Sequence, residues 1–129
     1  MNVRDVFLDW AEGCYGPGDY EPIMRALGMI LVEESSADYQ GDTLALIKSP
    51  EGKYGVLQFG WGSCSGCDAL QACSSWEDLQ ELCDEMEQSV RWHDSLREVQ
   101  VAVSAKDWEG TYAPELNKAF IDKVLAVEE

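Results

Sequence analysis

Residues 29–61 read MILVEESSADYQGDTLALIKSPEGKYGVLQFGW, and this stretch decides the fold. It contains three runs that are rich in β-branched, aromatic and aliphatic side chains. The three runs are 29–35, 43–48 and 54–61. The linkers between them carry the turn residues of DYQGD and SPEG, so the stretch predicts a three-stranded antiparallel meander. On the third run Leu57, Phe59 and Trp61 alternate onto one face, which we expect to be the buried one.

Helical patterns lie on both sides of this stretch. The clearest is 76–89, where apolar residues recur at helical spacing, acidic residues occupy the opposite face and Ser75 is a natural N-cap. The other predicted helices are 3–10, 22–27, 68–73 and one that begins at Pro114. Residues 96–105 fit either a helix or a strand, with the helix favoured, and 90–93 fit a short extended piece. We therefore expect one α+β domain over residues 1–129, a small three-stranded meander packed on one face with about four to five helices.

The charge balance excludes several classes of partner. The 129 residues include 25 acidic and 9 basic side chains, which gives a formal net charge of −16. Such a chain would be repelled by nucleic-acid phosphates and by an anionic membrane surface. Disorder is not the explanation, because 46% of the residues are hydrophobic, enough to bury a core.

The ends and the cysteines indicate a compartment. The first ten residues, MNVRDVFLDW, lack the features of a secretory signal peptide, and no window approaches the roughly 18 apolar residues that span a bilayer. Five cysteines do not suit a secreted disulfide framework. We therefore expect a soluble cytoplasmic protein whose thiols are reduced.

A glycine- and cysteine-rich motif follows the third run. Residues 60–73 read GWGSCSGCDALQAC, in which Cys64 and Cys67 form a C-x-x-C pair and Cys73 follows. A structural zinc site needs four ligands, and these three cysteines supply the core of one hypothesis, a small zinc-stabilised module. Cys83 is expected in the core, on the apolar stripe of its helix, and His93 is the alternative fourth ligand.

The same motif admits readings without a metal. The pair precedes a predicted helix, whose N-terminus lowers a thiol pKa, so a thiol-based module with a reversible disulfide is a second version of this hypothesis. Oxidoreductases of the thioredoxin type place the pair in a βαβ context, which is missing here. A hydrolase with a cysteine nucleophile would have His93 as its one histidine and no recognisable oxyanion site, so we expect a protein that is not an enzyme. The glycines could also cradle an anion, but the loop carries no lysine or arginine, and a tight turn under Trp61 is the preferred interpretation.

The motif resembles one shared by small uncharacterised proteins of phage and bacterial genomes, with the pattern Gly-aromatic-Gly-Ser-Cys-Ser-Gly-Cys-Asp. The resemblance extends over residues 39–95, which include the preceding hairpin and the acidic helix that comes after the motif. It implies a phage or mobile-element setting. It transfers no catalytic residue, because the group has no established activity.

The negative charge is concentrated beside this motif. Residues 63–94 hold eight acidic side chains and one basic one, and most of them lie on the outward face predicted for the 76–89 helix. The candidate binding residues are Glu77, Asp78, Glu81, Asp84 and Glu85. A solvated helix face is the plain interpretation of such a run, and an acidic surface that meets a basic one is the functional interpretation. We therefore expect a non-enzymatic, phage-encoded inhibitor or modulator that binds a basic host protein, such as one that binds nucleic acid, with nucleic-acid mimicry as one form of that binding.

Overall fold

The three predicted runs form strands of one antiparallel sheet. The computed structural model describes residues 1–13, 19–36, 41–62, 68–105 and 114–128. The strands are β1 (Met29–Ser35), β2 (Gly41–Lys48), β3 (Tyr54–Trp61) and β4 (Arg91–His93), in the spatial order β1-β2-β3-β4. The predicted α+β class is confirmed, but the predicted number of strands is wrong. The fourth strand pairs only with the first three residues of β3, and three residues are too few to show a strand period in the sequence.

Helices cover both faces of the sheet, rather than the single face expected. The helices are α1 (Val3–Val6), α2 (Glu21–Leu27), α3 (Trp76–Ser89), α4 (Leu96–Ala105) and α5 (Pro114–Ala126). Ala45 and Ile47 of β2 pack in one hydrophobic cluster with residues of α1, α2 and α3. Leu44 and Leu46 of the same strand pack in a second cluster with α4 and α5. Because successive side chains of a strand point to opposite faces, five consecutive residues of β2 are buried.

The helix predictions differ in how well they match the structure. Residues 96–105 are a helix, and the predicted bounds of the 76–89 helix are confirmed. The first helix ends at Val6 rather than near residue 10. Residues 68–73 form hydrogen-bonded turns instead of a regular helix: the Ala72 N–H donates to the Asp68 carbonyl, and the Cys73 N–H donates to the Leu70 carbonyl. Within the residues that the structure describes, no helix is both long enough and apolar enough to cross a membrane.

Gly55 allows the short strand β4 to pair with β3 at the edge of the sheet. It pairs with Trp92 of β4, and a Cβ added at Gly55 would lie 2.7 Å from the Trp92 ring and 2.5 Å from a methyl group of Val90. Any side chain at this position would therefore push against two groups that are attached to β4 or directly precede it. The missing side chain makes room for the Trp92 indole over the end of β3.

We predict that Gly55→Ala destabilises the fold by about 1–3 kcal/mol, the usual cost of overpacking a filled site. Gly60→Ala is the matched control, because its added Cβ would have no neighbour nearer than 3.5 Å on the same strand. Urea denaturation of the two variants measures the difference. Equal midpoints for the two variants would show that the contact with Trp92 does not limit the sheet.

Candidate functional site: the acidic face of helix α3

The apolar stripe of α3 fixes which side of the helix faces solvent. Leu79, Cys83 and Met86 are buried in the cluster that α3 shares with the sheet. The five predicted binding residues, Glu77, Asp78, Glu81, Asp84 and Glu85, are all exposed or partly exposed. At 3.6 residues per turn, four of them (all but Asp78) fall within an arc of about 100°. We call the exposed side of α3 that carries these five carboxylates the acidic face.

Helix α3 differs in charge from the other helices that the structure describes. It contains six acidic side chains and no basic one. Helices α1, α2 and α4 each contain one acidic and one basic side chain, and α5 contains two of each. The concentration of charge predicted from the sequence is therefore carried by a single rigid element.

The carboxylates on α3 succeed one another closely along the helix axis. From Glu77 to Glu87 the axis advances about 15 Å at 1.5 Å per residue, and the six acidic side chains leave one carboxylate per about 3 Å. Phosphates along one strand of B-DNA are spaced about 3.4 Å apart along the axis. The linear charge density of α3 therefore matches that of one nucleic-acid strand.

Two of the α3 acids are already engaged in holding the helix. The Asp78 carboxylate accepts hydrogen bonds from the Ser74 N–H at 3.1 Å and from the Ser74 hydroxyl, and these bonds lower the pKa of Asp78. Its own N–H donates to the N-cap Ser75, so this residue serves as a cap. Glu87 pairs with the N-terminal ammonium at 3.3 Å. Among the described residues Glu77, Glu81 and Glu85 have no ion-pair partner, which leaves them available to a partner's charges.

An aromatic pair borders the N-terminal end of the acidic face. The rings of Trp10 and Trp76 are 4.8 Å apart and nearly perpendicular, and the guanidinium of Arg4 lies 4.8 Å from the centre of the Trp76 ring. Nearby in sequence, Leu8 is 78% exposed. Trp10 and Trp76 belong to the apolar positions of the helices predicted at 3–10 and 76–89. This pattern gave no sign that they would meet at the rim of a charged surface.

Of the three cysteines in the motif, only Cys73 is among the residues that the structure describes. Cys64 and Cys67 lie outside the described residues. Cys73 is buried, and its thiol donates to the Ala69 carbonyl at 3.3 Å. Burial and the nearby carboxylates of Asp78 and Asp68 raise the pKa of Cys73 to about 11. Without a bound metal ion, such a thiol stays protonated at neutral pH.

Cys83 is a core residue, as its position on the apolar stripe predicted. It has no exposed surface, and burial raises its pKa to about 11 as well. His93 is half-buried on β4.

A polar cavity that no pattern in the sequence indicated lies at the end of the sheet. It has a volume of about 360 Å³, and Tyr20, Trp61 and Asp68 are among the residues that line it. The Tyr20 hydroxyl donates to the buried Asp68 carboxylate and accepts the Leu70 N–H at 3.1 Å. Burial and this carboxylate raise the pKa of Tyr20 well above its usual range. The one signal in the sequence was Asp68, which directly follows Cys67 within the cysteine motif.

Comparison with known proteins does not indicate a function for these sites. No protein-family model matches this chain, and neither a curated protein nor a solved structure matches it. Its function must therefore be inferred from the charges, contacts and burial of its own residues.

We predict that the stability of the protein falls as the pH rises from about 9 to about 11. The folded-state pKa of both buried thiols, Cys73 and Cys83, lies above the ordinary value of about 9. The contribution of these two thiols to the free energy of unfolding is therefore complete below pH 9. Above pH 9 the unfolded chain releases the thiol protons at a lower pH than the folded chain does, so this contribution is lost at about 1 kcal/mol per pH unit for each thiol. Tyr20 acts in the same direction at higher pH.

The measurement is the free energy of unfolding against pH. In the double variant Cys73→Ala/Cys83→Ala the slope above pH 9 should be smaller. Met86→Ala is the control, because it removes a buried side chain of the same cluster without removing an ionisable group. An unchanged slope in the double cysteine variant would contradict the prediction.

The zinc hypothesis built on Cys64, Cys67 and Cys73 stays a prediction. It requires one zinc ion per chain in protein purified without a chelator, and the loss of that ion in Cys73→Ser. Native mass spectrometry of both proteins measures the occupancy. Protein that carries no zinc would remove the hypothesis, and zinc retained in Cys73→Ser would exclude Cys73 from the ligand set.

Proposed function

We propose that this protein acts by binding, and that its acidic face docks on a basic protein. The observation that carries the proposal is the contrast in charge between α3, with six acidic side chains and no basic one, and the other described helices, in which the charges balance. A helix of this kind presents a dense row of carboxylates from a rigid support. Charge complementarity over such a surface speeds encounter with a basic partner and excludes acidic ones.

The partner that fits best is a protein that binds nucleic acid. The carboxylates of α3 have about the axial spacing of phosphates along one strand, so the helix matches the charge density that such a protein reads from a nucleic-acid backbone. In this mode the protein competes with nucleic acid for a basic groove and requires no catalytic group of its own. The resemblance of the cysteine motif to phage and bacterial proteins makes a phage-encoded inhibitor or modulator of a host protein the proposed biological setting.

The aromatic rim extends the proposed contact. Trp10 and Trp76 lie against each other beside the first turn of α3. The Glu12 carboxylate accepts a hydrogen bond from the backbone N–H of Trp76 at 3.1 Å. Aromatic residues are enriched among those that contribute most to protein–protein binding. The proposed surface therefore combines a charged centre with an aromatic border.

The test of the proposal is charge reversal on α3. The variant replaces Glu77, Glu81, Asp84 and Glu85 with lysine and leaves the cap residue Asp78 unchanged. Facing like charges cost several kcal/mol, so the affinity for the partner should fall at least about 100-fold. The matched control makes the same change of charge away from α3, at four exposed acidic residues. These are Glu51, Glu115, Asp122 and Glu128.

Wild type and both variants are used as bait in lysate of a bacterial host, and the retained proteins are quantified by mass spectrometry. We expect that wild type and the control variant retain the same host proteins and that the α3 variant does not retain them. Double-stranded DNA should displace these proteins from wild type. These complexes should dissociate between about 0.1 M and about 1 M salt, where the Debye length shortens from about 10 Å to about 3 Å. Equal retention by the α3 variant and wild type, or binding that is indifferent to salt, would contradict the proposal. Circular dichroism establishes that each variant is folded.

A further inference from the structure

The cavity at the end of the sheet is a second place where negative charge is concentrated, and it is separate from α3. It lies where the start of α2 meets the ends of β1, β2 and β3, and its described lining includes no residue of α3. Its volume of about 360 Å³ falls in the range of small-molecule sites. Exposed Asp19 and Glu33 stand at its edge, whereas Tyr20, Thr43 and Asp68 are buried, so it opens to solvent on one side.

One part of the cavity wall consists of aromatic rings that the protein holds in place. The rings of Tyr20 and Phe59 are 4.6 Å apart. The indole N–H of Trp61 donates to the Thr43 hydroxyl at 3.0 Å, and this hydroxyl is also hydrogen-bonded to Ser35 at 2.7 Å. Because contacts within the protein fix these rings, they need no reordering when a ligand enters.

The charged part of the described wall is negative throughout. No lysine or arginine is among the described residues that line the cavity, and the basic side chain that pairs with one of its acids is Arg25, bound to Glu21. Asp68 is only 3% exposed, yet its partners are neutral donors: the Tyr20 hydroxyl, the Leu70 N–H and the Gln71 amide. A carboxylate buried to this degree is usually paired with a cation, and within the described residues it has none.

Aromatic rings and carboxylates around one cavity select for a particular kind of ligand. Anions are repelled by Asp19, Glu33 and Asp68. Among the described residues, the carboxylates of this wall do not come together in a group that could hold a metal ion. An organic ammonium ion satisfies both parts, because the rings attract its charge while its carbon groups cover apolar surface. We propose that this cavity binds a small alkylammonium cation, independently of the surface on α3.

The experiment compares two ligands of the same shape that differ in charge. The probes are choline and its neutral isostere, in which carbon replaces the quaternary nitrogen. Each is titrated into the full-length protein by calorimetry at constant ionic strength, and N–H NMR spectra monitor the Trp61 indole signal. We expect choline to bind at least about tenfold more tightly than the isostere and to shift the Trp61 signal.

Three variants locate the binding. Phe59→Leu removes a ring while keeping most of its apolar volume, and it should weaken choline binding about three- to thirtyfold. Glu33→Gln removes an exposed charge at the edge, and it should weaken choline binding about two- to fivefold. Glu81→Gln makes the same chemical change as Glu33→Gln, but on the acidic face, and it should have no effect. Absence of choline binding, equal affinity for the isostere, or an equal loss in Glu81→Gln would overturn the proposal. The comparison of the two ligands on wild-type protein decides the matter even where Phe59→Leu fails to fold.

Discussion

The burial of β2 on both faces is the constraint on which the rest of the structure depends. Its residues from Thr43 to Ile47 are all buried, and alternate side chains enter two different hydrophobic clusters. Each fully buried leucine or isoleucine contributes about 1.5–3 kcal/mol, so leaving either face of this strand in water would cost a large part of the stability of a small domain. One layer of helices cannot satisfy such a strand. The chain therefore needs a helical layer on each face; α1, α2 and α3 supply one, and α4 and α5 supply the other.

This requirement fixes the orientation of α3. The helix must direct Leu79, Cys83 and Met86 towards the sheet, and its remaining positions then face water whatever residues they hold. A mixture of acidic and basic residues at these positions would stabilise the helix, because oppositely charged side chains four residues apart attract each other. Helix α2 has such a pair in Glu21 and Arg25. The absence of any basic residue on α3 forgoes that support and adds repulsion along the helix. This feature recurs on no other described helix, and the packing of α3 against the sheet does not require it.

The sequence was most informative where one period dominates a long run. The strands at 29–35 and 54–61 and the helix at 76–89 have the predicted bounds, because each run is long enough to show its period. The side on which helices pack was not predictable from the meander alone, since a run such as TLALI is compatible with burial on one face or two. The three residues of β4 depend on a contact with Gly55 that is distant in sequence. The acidic face could be predicted because all of its residues lie within one helix. The cavity is lined by residues from four elements and from the turn at Asp68, so no local sequence pattern predicts it.

The large negative charge has two distinct structural forms. On α3 it is exposed and arranged in a row, which suits a large basic surface; in the cavity it is partly buried and mixed with rings, which suits a small cation. Cys73 connects the two, because carboxylates from both, Asp78 and Asp68, raise its pKa in addition to burial. Burial first, and these carboxylates in addition, therefore favour the protonated form of this thiol. The burial of Cys73 in the cluster beneath α3 thus suits a packing residue, while the exposed carboxylates of α3 and of the cavity are the groups that a charged partner or ligand can reach.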